Sequence, residues 1–159
     1  MRELKSIVAV VALLLGAVSC QSDEEQSPTV SAPVINTRNM EGVWMLQEIE
    51  GIDLDDDIYL YIALVHEDLS FDMYDNFDSA YSHQSVGTFV IDEDDNGRKY
   101  INGYYTSNFS EEWSEYYYIE DFTLESMTWV GAESGSIQRF VLVDEIPSDI
   151  VAGTRSAEF

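Results

Sequence analysis

The feature that most constrains the fold is a series of eight short segments, rich in aromatic and β-branched residues, between Gly42 and Asp144. They read GVWMLQEIE, IYLYIALVH, LSFDMYD, SVGTFVID, RKYINGYYT, SEYYYIED, SMTWVG and SIQRFVLVD. Each is bounded by Gly, Asp, Asn or Ser, and none has a sustained apolar period of 3.6 residues. Closure into a barrel would remove the edges that a Tyr- and Ile-rich sheet exposes to aggregation. The sequence therefore predicts an all-β protein, an eight-stranded antiparallel up-and-down barrel, with a sandwich as the alternative.

One connection between these segments begins like a calcium-binding loop, with Asp92-x-Asp94-x-Asn96-Gly97. An EF-hand loop has a bidentate Glu at its twelfth position, whereas Gly103 stands there. Asn-Gly is the preferred pair for a two-residue type I′ hairpin turn. The pattern predicts a hairpin without a metal site, and adventitious calcium here or at 53–57 is the alternative to solvated loops. The expected pairs are Asp95 with Arg98, Asp94 with Lys99, Asp92 with Ile101, Ile91 with Asn102, and Phe89 with Tyr104.

The N-terminus has the pattern of a secretory leader. Two cations, Arg2 and Lys5, precede a twelve-residue apolar run and Cys20, and this run is shorter than the ~20 residues that span a bilayer. The stretch LLLGAVSC resembles the lipobox of bacterial lipoproteins, which implies cleavage after residue 19 and acylation of Cys20. An ordinary secretory signal with an incidental cysteine is the alternative. Cys20 is the single cysteine, so an internal disulfide is excluded.

Residues 20–40 have the composition of a solvated tether. Their acidic run Ser22–Glu25 resembles the export signal of Bacteroidota lipoproteins, which implies an outer-membrane lipoprotein exposed on the cell surface. We expect a signal peptide at 1–19, a lipidated tether at 20–40, a barrel at 41–145 and a tail at 146–159.

The charge of the chain restricts its partners. It has 7 Lys and Arg against 31 Asp and Glu, a net charge of −24, which excludes nucleic acid as a partner. An anionic membrane surface also repels the domain, so the expected membrane contact is the lipid anchor at Cys20. Hydrophobic residues make up 45% of the chain, enough for a packed domain.

The barrel segments resemble those of a known family. Gly42-x-Trp44 in the first segment and Arg139 in the last are similar to the paired signature of lipocalins and fatty-acid-binding proteins. The order of segments over 41–144 resembles the lipocalin-like domains of Bacteroidota lipoproteins. The resemblance implies that the Trp44 indole packs against the Arg139 guanidinium and closes one end of the barrel. A barrel of eight strands is either filled by side chains or holds one small ligand.

Two features leave the facing of some segments open. A bulge within Val43–Glu50 would shift the inward face by one residue. The segment IYLYIALV is apolar on both faces, so we expect the tail EIPSDIVAG or another chain to cover part of the outer wall.

No catalytic constellation stands out in the sequence. His66 and His83 lack the spacing of a zinc helix, and neither a Gly-x-Ser-x-Gly nor a phosphate-binding glycine loop is present. We therefore expect a protein without catalytic activity, metal or cofactor.

Two functions remain. The first is binding of a small apolar or sugar-like ligand by aromatic residues of the barrel, since Tyr and Trp combine a large apolar face with a polar group. The candidates are Tyr59, Tyr61, Tyr104 and Trp129, with Trp44 beside them. The second is an acidic protein-interaction module that contacts a cationic partner and has no small-molecule ligand. Its candidate contact loop is Asn76–Gln84, which carries Phe77 and Tyr81 among polar residues.

Overall fold

The structure is a computed structural model that describes residues 32–106 and 111–153. The expected signal peptide, the lipidation site Cys20 and most of the expected tether lie outside the described residues. The elements are β1 Gly42–Ile49, β2 Ile52–Asp53, β3 Leu60–Leu64, β4 Ser70–Asp75, β5 His83–Glu93, β6 Lys99–Tyr105, β7 Tyr117–Glu120, β8 Ser126–Gly131, β9 Ile137–Val143 and α1 Ser148–Ala152.

Eight of these strands form a closed antiparallel barrel. β1 and β3 to β9 pair with their neighbours in chain order, and β9 returns to pair with β1. The short β2 is an additional strand on β1. Each of the eight segments found in the sequence contains one barrel strand, so the predicted fold class is confirmed. Closure leaves the barrel strands paired on both sides, which is the physical reason for which it was expected.

A bulge in β1 determines which residues of this strand face inward. The register with β9 shifts between Leu46 and Glu48, so Gln47 is the extra residue. Leu46 before the bulge is buried in the core, and Ile49 after it packs against the core. The bulge turns Glu48 outward, where it pairs with Arg139.

The barrel is filled at the end where β1 begins, which we call the closed end. Trp44 is completely buried there, its indole N–H donates to the Met40 carbonyl at 2.9 Å, and its ring lies 6.4 Å from that of Phe122. Further up the barrel, the core continues through Phe71, Phe89, Ile101, Met127 and Phe140.

The packed chain begins before residue 41, the boundary expected from the sequence. Met40 is completely buried in the core, and Ile35 packs against it. The Thr37 hydroxyl lies 2.7 Å from Nδ1 of His66, in the loop after β3. Residues 35–40, assigned to the tether from their composition, therefore pack against the closed end.

The β5–β6 hairpin differs from the predicted turn. The Asp94 N–H donates to the Arg98 carbonyl at 3.0 Å, and the Gly97 N–H donates to the Asp94 carbonyl at 2.9 Å. Gly97 has a positive φ of 78°, whereas Asn96 does not. This geometry is a longer turn with a glycine bulge rather than a two-residue type I′ turn, which requires positive φ at both positions.

The longer turn moves the register of the hairpin by one residue. Phe89 faces Gly103 instead of Tyr104, and Ile91 faces Ile101 instead of Asn102. The predicted pairs were therefore wrong. Because side chains alternate along a strand, the correction exchanges the inner and outer faces of β6.

The tail after β9 contains the short helix α1. Asp149 of α1 is close enough to Tyr61 on the outer face of β3 to raise the pKa of this phenol, although burial is the larger cause. The tail thus reaches the outer wall of the segment that is apolar on both faces.

Within the part of the chain that the structure describes, no helix combines the length and apolarity needed to cross a bilayer.

Candidate functional site

The end of the barrel opposite Trp44 contains a cavity of about 250 Å³, which we call the inner cavity. Its wall is largely aromatic and aliphatic, and the polar groups Asp75, Asp78, Ser114 and Gln138 also line it. The aromatic residues of the lining are Phe77, Tyr105, Trp113, Tyr117, Trp129 and Phe140. Since one water occupies about 30 Å³ of liquid, the volume suits a ligand of the size of one substituted ring.

The rings of the wall contact one another in a continuous cluster. Trp129 is central, with ring centroids 4.5 Å from Phe140, 5.6 Å from Tyr117 and 5.7 Å from Trp113. All three pairs are tilted, a geometry that aromatic pairs prefer to face-to-face stacking. Trp129, Phe140 and Tyr117 lie on β8, β9 and β7, so the barrel strands themselves fix the positions of these rings.

Trp113 reaches the barrel interior from the connection between β6 and β7. Its backbone N–H donates to the Gly103 carbonyl at 2.8 Å, and its indole lies over Gly103. A Cβ at position 103 would overlap the indole, so this close contact requires glycine, which has no side chain. The buried Nε1 of Trp113 has no hydrogen-bond partner among the described residues. A buried donor without an acceptor costs about 1–3 kcal/mol of stability.

Asp75 supplies a carboxylate to this apolar cavity. It ends β4, on the same face as the inward Phe71 and Met73, and accepts a long hydrogen bond of 3.4 Å from the Phe77 N–H. Burial raises the pKa of Asp75, and the neighbouring Asp78 adds to the rise. The Phe77 N–H and His83, which is paired with Asp75 across the β4–β5 ladder, oppose it.

Two phenols share the cavity with Asp75. Burial is the main cause that raises the pKa of Tyr105, and electrostatic interactions with Tyr117 and Asp75 raise it further. Burial likewise raises the pKa of Tyr117. Both phenols are therefore neutral at physiological pH, since the usual tyrosine pKa is already about 10.

The structure brings one of the four predicted ligand-binding residues into the inner cavity. Trp129 lines it, whereas Tyr104 lies on the outer face of β6 and is 37% exposed. Tyr105, the next residue, takes the inward place. Tyr59 and Tyr61 lie outside the barrel, with ring centroids 6.0 Å apart.

The expected contact between Trp44 and Arg139 is not formed, and Trp44 belongs to the closed end. Arg139 faces outward, is about half exposed, and lies 3.9 Å from the Glu48 carboxylate. The cation–π contact found among the described residues instead places Arg98 3.6 Å from the ring centre of Tyr118. The barrel is closed by the β1–β9 ladder, in which Gly42 approaches the Leu142 side chain.

A second, outer cavity of about 510 Å³ lies between the outer wall, the connection before β3 and α1. Tyr59 and Tyr61 line it together with the carboxylates of Asp53, Asp55, Asp56, Asp57 and Asp149. The side chain of Asn76 holds this region in place: its Nδ2 donates to the Asp57 carbonyl at 2.7 Å and its Oδ1 accepts from the Tyr59 N–H at 2.9 Å. In the ranges 32–106 and 111–153, no three His, Cys, Asp or Glu side chains are close enough to share a metal ion.

Comparison of the chain with protein-family models, with curated proteins and with solved structures found no match. The two cavities and their lining residues are the features of the described chain that bear on function.

Sequence reasoning missed Tyr105, Trp113, Tyr117 and Asp75 as lining residues of the inner cavity. The correct register of the β5–β6 hairpin places Tyr105 inward. In the sequence, only Gly97 could have indicated the turn that sets this register. Tyr117 and Asp75 lie within predicted strands, and their inward facing follows once the register is known. Trp113 lies in a connection, where strand alternation carries no information on facing.

Proposed function

We propose that this protein is a non-catalytic lipoprotein that binds a small apolar or sugar-like ligand in the inner cavity. The observation that carries the proposal is the aromatic wall around Trp129, with polar groups at a few places in an otherwise apolar lining. Cavities of this composition are typical of small-molecule sites, because the rings provide contact area and the polar groups fix orientation. The volume of about 250 Å³ accommodates roughly one ring with its substituents.

The proposed location comes from the sequence. The leader and Cys20 support lipid attachment, and the acidic run after Cys20 supports export to the outer-membrane surface, as in the lipocalin-like lipoproteins of Bacteroidota that the segments resemble. Metabolic labelling with a radioactive fatty acid tests the anchor, with Cys20→Ser as the variant. Labelling that persists in Cys20→Ser would contradict acylation at this residue.

Two neighbouring tyrosines provide a matched test of the inner cavity. Tyr105→Leu removes a ring from the wall, whereas Tyr104→Leu makes the same change on the outer face of β6. An aromatic contact contributes about 0.5–1.5 kcal/mol, so Tyr105→Leu should weaken ligand binding roughly three- to tenfold. Tyr104→Leu should leave binding within about twofold, since this ring does not line the cavity.

Native mass spectrometry of the full chain, extracted in mild detergent, detects the ligand. We expect a co-purifying molecule that wild type and Tyr104→Leu retain at similar occupancy and Tyr105→Leu retains at lower occupancy. A chain without any bound small molecule, which also fails to bind a panel of single-ring compounds, would overturn the proposal. Equal retention by both variants would place the ligand outside the inner cavity.

The outer cavity supports a second candidate, an acidic module that binds a cationic protein surface without a small-molecule ligand. Five aspartates and two tyrosines line it on a chain of net charge −24, which is complementary to Lys and Arg side chains. Its test is replacement of Asp55, Asp56 and Asp57 by Asn. Loss of a captured partner in this variant, with binding by the inner cavity unchanged, would favour the second candidate.

A further inference from the structure

The polar groups of the inner cavity are not balanced in charge. Asp75 and Asp78 contribute carboxylates, and none of the lining residues that the structure describes is Lys, Arg or His. A ligand with a carboxylate or phosphate would therefore meet like charge inside a half-buried wall, which costs binding free energy. A neutral ligand would leave the half-buried carboxylate of Asp75 with only the Phe77 N–H and the neighbouring His83 to stabilise its charge.

The aromatic wall has the same electrostatic preference. The faces of Trp and Tyr rings carry partial negative charge, and they attract an ammonium group within about 6 Å, most strongly for Trp. Trp113, Tyr117 and Trp129 form a connected cluster with ring centroids 5.6–6.2 Å apart. Tyr105 is near enough to Asp75 for this carboxylate to affect its phenol. The aromatic rings and the Asp75 carboxylate thus line the same cavity.

We propose that the inner cavity selects a small organic cation, an amine with one ring, whose ammonium group pairs with Asp75 while its ring packs against Trp113, Tyr117 and Trp129. The inference rests on the proposed function, since it names the chemical class of the ligand for that cavity. The affinity of a ligand for the inner cavity then depends on its net charge as well as on its apolar area.

Three compounds with the same phenyl ring test the charge preference: phenethylamine, 2-phenylethanol and phenylacetate. They are respectively cationic, neutral and anionic at pH 7 and differ little in size. Isothermal titration calorimetry of the full chain should show phenethylamine binding at least tenfold more tightly than 2-phenylethanol, with phenylacetate weakest. Methyl β-glucoside serves as a fourth probe, for sugar-like ligands.

Two aspartates of β4 provide the matched variants. Asp75→Asn removes the inward carboxylate, whereas Asp72→Asn removes the same charge from the outer face, where Asp72 accepts from Gln84 at 2.8 Å. Asp75→Asn should reduce the preference for phenethylamine over 2-phenylethanol below twofold. Asp72→Asn should leave the preference unchanged, which separates a local ion pair from attraction by the net charge of −24.

The outcomes separate this inference from the proposed function. Tighter binding of 2-phenylethanol, phenylacetate or methyl β-glucoside than of phenethylamine would overturn the cation preference and leave ligand binding intact. An unchanged preference in Asp75→Asn would also overturn it. Absence of binding by all four compounds, together with absence of a co-purifying molecule, would overturn both.

Discussion

Asp75 is a half-buried carboxylate whose ionisation acts against the stability of the fold. It lies at the end of β4 in a largely apolar lining, and its pKa is raised chiefly by burial. The folded chain therefore holds the Asp75 proton to a higher pH than the unfolded chain does. At a pH above the raised pKa of the folded state, the ionised Asp75 carboxylate destabilises the fold. A bound cation would offset this loss of stability.

We predict that Asp75→Asn raises the free energy of unfolding at pH 7 and that the gain disappears in acid. Below about pH 3.9, the usual aspartate pKa, the carboxyl is protonated in both states and Asn has no advantage. As the pH rises through the elevated pKa of the folded state, the wild type loses stability relative to the variant. Urea denaturation between pH 3 and 8 measures the difference.

The exposed Asp95→Asn is the control for this change. It removes the same charge from an exposed turn outside the cavity, so a gain of equal size in both variants would mean that removal of any carboxylate from this acidic chain is the cause. A lower stability of Asp75→Asn than of wild type at pH 7 would show that Asp75 makes compensating native contacts.

At the scale of the element, the β5–β6 turn determines which residues reach the inner cavity. The longer turn with Gly97 at positive φ moves the register by one residue and gives Tyr105, not Tyr104, the inward position. The same shift places Gly103 under the Trp113 indole. The composition of the site is thus coupled to the geometry of a solvent-exposed turn at the other end of these strands.

Substitutions in this turn distinguish its two geometries. Gly97→Ala forces a residue with a Cβ into positive φ and should lower the free energy of unfolding by about 1 kcal/mol. Asn96→Ala should change it by less than about 0.5 kcal/mol, because Asn96 does not have positive φ. In a type I′ turn both substitutions would be costly, so equal losses in urea denaturation would contradict the observed turn.

At the scale of the whole molecule, closure combines a packed end with a hollow one. Trp44, Met40 and Phe122 fill the closed end, while the inner cavity occupies the other. Phe140 connects the cavity with the closing ladder: it is completely buried, lines the cavity beside Trp129 and pairs with Leu46 across the β1–β9 closure. Stability of the closed barrel and shape of the cavity therefore depend on the same strand.

We predict that Phe140→Ala lowers the free energy of unfolding by about 3–5 kcal/mol, the usual cost of removing a buried Phe ring. Ile137→Ala on the same strand should cost at most about 1 kcal/mol, because Ile137 is 46% exposed. Urea denaturation followed by far-ultraviolet circular dichroism measures both. Similar losses for the two variants would mean that β9 is not packed as a closing strand.

The strand pattern could be predicted because it depends on local information. The aromatic and β-branched segments with turn residues between them identified all eight barrel strands, and the aggregation hazard of open edges favoured closure. The bulge region of β1 was also recognised, although its position at Gln47 was not. That Tyr and Trp contribute to the interior was also expected, and Trp129 does line the inner cavity.

The facing of particular residues was decided by the tertiary structure. The pattern of β6, with Tyr104 and Tyr105 adjacent, is compatible with either ring inside, and the turn geometry selected Tyr105. Arg139 was expected to contact Trp44, but it lies on the opposite side of the wall because inward and outward positions alternate along β9. Trp113 entered the barrel only because Gly103 left room for it. Amino-acid sequence by itself determined where the strands form and favoured pairing between consecutive strands, since both depend on neighbours along the chain. Which side chains meet in the cavity depends on register and bulges, which are set only when distant strands pack together.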